Sequence, residues 1–109
     1  RDFYIHEALE FIEHNFQNDI SVEDIADVCG LNRSYFGKIF KEAVGKTPQE
    51  FLLSYRMVKA AELLKLTKLS VGDISSAVGY DNQLHFSRAF KIIYGVSPKK
   101  WRTEQILNK

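Results

Sequence analysis

Arg33, Ser34, Gly37, Lys38 and Lys41 follow one another at helical spacing, and so do Gln83, Leu84, Ser87, Arg88 and Lys91. On an α-helix that spacing gathers each set on one side. Arginine and lysine donate to guanine O6 and N7, glutamine pairs with adenine N6 and N7, and an apolar side chain such as Leu84 fits against a thymine methyl. The second set is therefore equipped to read base edges. In the first, Ser34 and Gly37 are too short to reach far, which leaves Lys38, phosphate contacts and the shape of the duplex. Helical spacing thus makes Ser34, Gly37, Lys38, Gln83, Leu84, Ser87 and Arg88, along with Arg33, Lys41 and Lys91, candidates to face DNA. Arg33, Lys41 and Lys91 are expected in phosphate or supporting roles, and Lys99, Lys100 and Arg102 are expected to add phosphate attraction further along the chain.

Other chemistries find little in the same residues. No glycine-rich phosphate loop, nucleophile motif or paired acids with a cleft arrangement is present, so no catalytic residue, and no enzyme, is expected. The single thiol, Cys29, cannot close an internal disulfide, and with the scattered His6, His14 and His85 it does not make a metal-ligand spacing. No metal and no cofactor are expected. Apolar stretches are broken by charges within a few residues, so nothing reads as a membrane span, and a reducing cytoplasm fits the cysteine usage. A protein-interaction module of the same helical build is the remaining alternative to a nucleic-acid binder.

The formal net charge is only +1, yet it is unevenly distributed. Residues 1 to 31 carry one basic residue against eight acidic ones, a balance of −7, and residues 32 to 109 carry fourteen against six, a balance of +8. A polyanion would meet the second field.

The elements that must position the two sets come from an internal repeat. SVEDIADVCG (21 to 30) aligns with SVGDISSAVG (70 to 79) at an offset of 49, and FGKIFKEAVGKTPQEF (36 to 51) aligns with FSRAFKIIYGVSPKKW (86 to 101) at an offset of 50. Each copy opens on a serine able to cap a helix, with an aspartate three residues later, and closes its first helix at Gly30 or Gly79. Asn32, or Asp81 and Asn82, can cap the next helix, so each copy reads helix, tight turn, helix. Phe36, Ile39, Phe40 and Ala43, and likewise Phe86, Ala89, Phe90 and Ile93, mark the buried face of each second helix. An amphipathic first helix is predicted over 3 to 16 from Ile5, Ala8, Leu9, Ile12 and Phe16. Thr47-Pro48-Gln49-Glu50 reads as a capping box opening a long helix to about Leu66, and Ser97-Pro98 opens a last one. The expected fold is all-α, with seven helices in two helix-turn-helix subdomains (3–47 and 67–109) joined by a connecting helix (48–66), the whole forming one domain over 1–109.

A helix-turn-helix lays its second helix in the major groove of DNA. The recognition helices are then about 33–43 and 82–94, and a 19-residue connector, roughly 28 Å long at about 1.5 Å per residue, suits successive grooves and an asymmetric site. The segment GYDNQLHFSRAFKIIYGVSPKKWR (79 to 102), with its Gly-aromatic pair followed by Phe-Ser-Arg, Phe-Lys, Gly and Ser-Pro, resembles the signature of the AraC/XylS-type transcription regulators, in their C-terminal DNA-binding domain. That resemblance implies the same seven helices and sequence-specific binding to double-stranded DNA for transcription regulation, as in the family's activators. It also implies base contacts at Ser34, Gly37, Lys38, Gln83, Leu84, Ser87 and Arg88, and a supporting role for Arg56 in the connecting helix. Leu84 and His85 depart from the residues common at those positions, a small or polar residue and a tyrosine. RNA polymerase, and an N-terminal sensor or receiver domain not contained in this sequence, are the further partners the resemblance implies.

Overall fold

Capping residues set where the helices begin. Ser21, Asn32, Thr47, Ser70, Asn82 and Ser97 each stand just before a helix and offer a side-chain oxygen to an otherwise unpaired N–H of its first turn. In the computed structural model, which describes residues 2–108, the helices are α1 (Asp2–Asn15), α2 (Val22–Val28), α3 (Arg33–Val44), α4 (Pro48–Leu66), α5 (Val71–Ala77), α6 (Gln83–Tyr94) and α7 (Pro98–Leu107). Arg1, counted above in the acidic segment, and Lys109 lie outside the described residues. There is no strand among the described residues. The expected helix starting at residue 3 begins one residue earlier, and the second recognition helix starts at Gln83 because Asn82 is its cap, accepting from the Leu84 and His85 amides. A helix N-terminus has to leave room for its cap, so the pattern of apolar residues locates a helix better than it locates its first residue.

The chain divides into two compact units, one ending at Leu53 and one beginning at Ser54. In the first, Ile5, Ala8 and Ile12 of α1, Ile25 and Ala26 of α2, Phe36, Ile39 and Phe40 of α3 and Leu52 of α4 are buried. The Phe36 and Phe40 rings lie 5.5 Å apart, and Phe51 meets Phe40 edge-on at 5.6 Å. The second unit repeats this arrangement, with Ile74 and Val78, then Phe86 and Phe90, buried. Its aromatic cluster is larger: Tyr94 stacks on Phe90 at 4.5 Å and Trp101 meets Phe90 edge-on at 5.9 Å. Each fully buried phenylalanine contributes about 1.5–3 kcal/mol of transfer free energy, so two per unit give a 12-residue helix its anchorage.

Ala43 and Ile93, expected on the inner face, are exposed, Ile93 by 41%. Helical periodicity assigns a direction, whereas burial also requires a neighbour on that side, and the last turn of each recognition helix runs past its neighbours there. Val44 and Tyr94 are half-buried in the same turn instead. Cys29 is also half-buried, with its thiol donating to the Tyr4 carbonyl at 3.4 Å. Burial, followed by the nearby Glu7 carboxylate, pushes the thiol pKa up, away from reactive thiolate.

Both tight turns bring the chain through a left-handed glycine, with φ of 70° at Gly30 and 97° at Gly79. In the first, the Gly30 amide reaches the Asp27 carbonyl and the Leu31 amide the Ala26 carbonyl. In the second, the Tyr80 amide reaches the Ser75 carbonyl. These bonds close the end of the first helix and aim the second.

Candidate nucleic-acid interface

In the first unit a capping box holds the start of α2: the Asp24 amide donates to Ser21 Oγ at 3.1 Å and the Ser21 amide to Asp24 Oδ2 at 2.8 Å. The turn at Gly30 follows, and Asn32 Oδ1 accepts the Tyr35 amide at 2.9 Å to start α3. With Phe36, Ile39 and Phe40 inward, Arg33, Ser34, Lys38 and Lys41 are exposed on the other side and Gly37 is half-exposed between them. Beyond its own stretch of helix, a methyl group added at Gly37 would meet no atom within 4 Å, so the middle of this face is bare backbone.

The second unit builds its face the same way on α6. Gln83, Leu84, Arg88 and Lys91 are exposed, and Ser87, counterpart of Gly37, is half-buried. Leu84 is 57% exposed, which leaves its side chain free to meet an apolar group on a partner. Arg88 makes no ion pair with any described residue, Asp81 included, so its guanidinium is available to an external acceptor. Nearby, the Arg56 guanidinium lies 5.8 Å from the Tyr80 ring centroid, and Tyr80 meets buried Phe86 edge-on at 5.7 Å. Arg56 is thereby tied to the turn that precedes α6. Burial, the larger effect, raises the Tyr80 phenol pKa, with Arg56 acting against it.

The remaining basic residues divide. Lys99 and Lys100 are exposed on the first turn of α7, where a cation can attract phosphate. Arg102 is half-buried and turned onto protein: its Nε donates to the Leu64 carbonyl at 2.9 Å and its Nη2 to the Thr67 carbonyl at 3.3 Å. It closes the C-terminal end of α4 and so supports the unit. Arg33 is also engaged, its Nη1 donating to Glu23 Oε1 at 2.6 Å. Sequence reasoning missed both engagements, because each depends on residues brought together by the turn or by α7.

Among the described residues no three of His, Cys, Asp and Glu come together to hold a metal ion, and no helix is long and apolar enough to cross a membrane. Against this geometry, the model of a helix-turn-helix domain family matches residues 25–104. A structure from Chromobacterium violaceum described as a transcriptional regulator of the AraC-type DNA-binding-domain proteins superposes with a TM-score of 0.85 at 28% identity, covering 95% of this chain and 93% of that one. The chain belongs to the AraC-type helix-turn-helix family.

This AraC-type chain is also similar to the C-terminal domain of AraT, a response regulator from Geobacillus stearothermophilus, with a TM-score of 0.90 and 35% identity over 93% of this chain and 84% of that one. A lactose operon transcription activator of Staphylococcus xylosus is 38% identical over 104 residues, which is 95% of this chain and 37% of the activator. The chain thus spans a little over a third of that relative's length. The AraC-type family is one of DNA-binding transcription regulators and not of enzymes, and its all-α, two-helix-turn-helix architecture is the one described above.

Proposed function

We propose that this domain binds double-stranded DNA sequence-specifically to regulate transcription, with α3 and α6 each laid in a major groove and α6 supplying most of the base discrimination. The observation that carries this reading is the first half of α6. Gln83, Leu84 and Arg88 are exposed on a helix anchored by buried Phe86 and Phe90, and Arg88 has no ion pair among the described residues to satisfy it. Arg88 fits guanine O6 and N7, Gln83 fits adenine, and Leu84 fits a thymine methyl. Ser87 is placed to add a hydroxyl contact. In α3, Lys38 is the reader, Ser34 and Gly37 permit close approach, and Lys41 serves the backbone, as Lys91, Lys99 and Lys100 do in the second unit. Arg56 positions the turn before α6, and Arg102 supports the end of α4.

The longer relative supports a further proposal, that the domain works within a larger cytoplasmic regulator carrying an N-terminal sensor or receiver domain, and that it activates by touching RNA polymerase. The test is Arg88→Ala, measured by anisotropy on a selected duplex and on random duplex. Specific affinity is expected to fall by about 1–3 kcal/mol with preference relaxed at one base pair. Equal losses on both duplexes would make Arg88 a phosphate contact and shift base reading elsewhere.

A further inference from the structure

The repeat makes position 23 the counterpart of position 72, and position 33 the counterpart of position 83. Each pair joins the second residue of the helix before the turn to the first residue of the recognition helix. In the first unit the pair is an ion pair, Arg33 Nη1 to Glu23 Oε1 at 2.6 Å, with side chains 58% and 62% exposed. In the second it is Gly72 and Gln83, and a methyl group on Gly72 would stand 2.9 Å from Gln83 Oε1. The Gln83 amide therefore lies directly over α5 at a point where α5 has no side chain. One place in the fold holds the leading side chain of the recognition helix by a carboxylate in one unit, and leaves it without a charged partner in the other.

We propose that this position selects whether the leading side chain of each recognition helix reads DNA: Glu23 withholds Arg33 from the bases, whereas Gly72 leaves Gln83 room and no competing carboxylate. The inference rests on the DNA-binding reading above and assigns Glu23 and Gly72 as positioning residues within it. A guanidinium recognises guanine by presenting two N–H groups in a fixed fork, and a carboxylate on one nitrogen takes part of that fork and turns it toward α2. Phosphate oxygens would compete for the same guanidinium, while Glu23 itself repels them. Gln83 faces neither constraint. Arg33, the residue of α3 best suited to guanine, thus contributes little, and residues outside the recognition helices add to the inequality set by Ser34 and Gly37 within α3.

A double-mutant cycle on a selected duplex tests this, with Arg33→Ala and Glu23→Gln made singly and together and Arg88→Ala as the reference for a reading residue. Arg33→Ala is expected to change Kd by less than about twofold in the native background. Glu23→Gln should tighten binding, and adding Arg33→Ala to it should undo the gain by at least about fivefold, the lower end of what one base contact is worth. Site selection with Glu23→Gln should reveal a new guanine preference in the first half-site. Gly72→Ala, which displaces the Gln83 amide, should weaken the same base preference that Gln83→Ala weakens. Glu23→Ala serves as a second version should Glu23→Gln disturb α2. A loss of fivefold or more from Arg33→Ala alone would overturn the inference, since Glu23 would then be bracing a reading arginine. Tightening by Glu23→Gln that persists in full without Arg33 would also overturn it, as mere removal of negative charge. Absence of salt-dependent duplex binding by the unsubstituted domain would remove the DNA reading itself. Binding that Arg88→Ala weakens, with no coupling between positions 23 and 33, would overturn only this inference.

Discussion

Gly37→Ala separates folding from function at the centre of the α3 face. Gly37 lies inside a 12-residue helix, with none of the positive-φ geometry found at Gly30, Gly45, Gly79 and Gly95. Nothing in the surrounding structure lies within 4 Å of the methyl group an alanine would add. The substitution therefore brings no clash and little new burial, and what remains is the backbone. Glycine in a helix interior is about 0.8–1.0 kcal/mol less favourable than alanine, because it has more freedom to lose on folding. Gly37→Ala should raise stability by close to that amount, read in urea as a higher midpoint with an unchanged m-value. On DNA the expected sign is the reverse: in the proposed mode a bare backbone on a groove-facing helix allows close approach, so the methyl group should weaken binding to a selected duplex while the fold becomes more stable. Gly37→Ser, which copies Ser87 of α6, should stabilise less. A loss of stability on Gly37→Ala would instead mean that the space at Gly37 is not open.

Ser75 is buried with no hydrogen-bond partner for its hydroxyl among the described residues, and its counterpart in the first unit is Ala26. Ser75→Ala should stabilise the second unit by about 1 kcal/mol, by relieving a buried unpaired hydroxyl, and a lower urea midpoint would show that the hydroxyl has a partner. Arg102→Ala should destabilise that unit by about 1–3 kcal/mol, because two C-terminal carbonyls of the α4 region lose a charged donor, while the salt slope of DNA binding should stay within experimental error. A shallower slope would instead place Arg102 against phosphate. Glu50 closes the Thr47 capping box, its Oε1 accepting the Thr47 amide at 2.9 Å, and that backbone bond together with the Thr47 side chain holds its carboxyl below the usual range. A depressed folded-state pKa gives stability that is present above the ordinary glutamate value and lost as pH falls through the depressed one. Glu50→Gln should therefore flatten the acid limb of a stability-against-pH curve, and an unchanged limb would contradict the capping role.

The helix ends were legible in the sequence because capping is local. Ser21 with Asp24, Asn32, and Thr47 with Glu50 act within three residues of one another, so spacing alone identifies them. The exposed faces of α3 and α6 were legible for a similar reason, since Phe36 with Phe40 and Phe86 with Phe90 define the inner side and leave the outer one. Arg102 and Arg33 were not legible in this way. An arginine next to Lys99 and Lys100 looks like part of a basic patch, and only the fold shows its guanidinium over the Leu64 and Thr67 carbonyls. Arg33 finds Glu23 ten residues earlier, across a turn. The one available signal was the repeat itself, which sets Glu23 against Gly72 and Arg33 against Gln83 and so marks the place where the two copies diverge chemically. Ala43 and Ile93 show the complementary failure, where a correct helical face extends beyond the neighbours that would bury it.

In the proposed binding mode, α6 reads sequence while the basic surface around both helices holds the DNA backbone. Its most direct test is a titration of the domain against a selected duplex and a random one across a range of salt, repeated with Gln83→Ala and Arg88→Ala. Log affinity should fall linearly with log salt on both duplexes, with a slope near −0.9 per neutralised phosphate. The two substitutions should erase most of the difference between the duplexes and leave the slope on random DNA nearly unchanged. A flat salt response, or a preference for the selected duplex that survives both substitutions intact, would contradict this division between α6 and the basic surface.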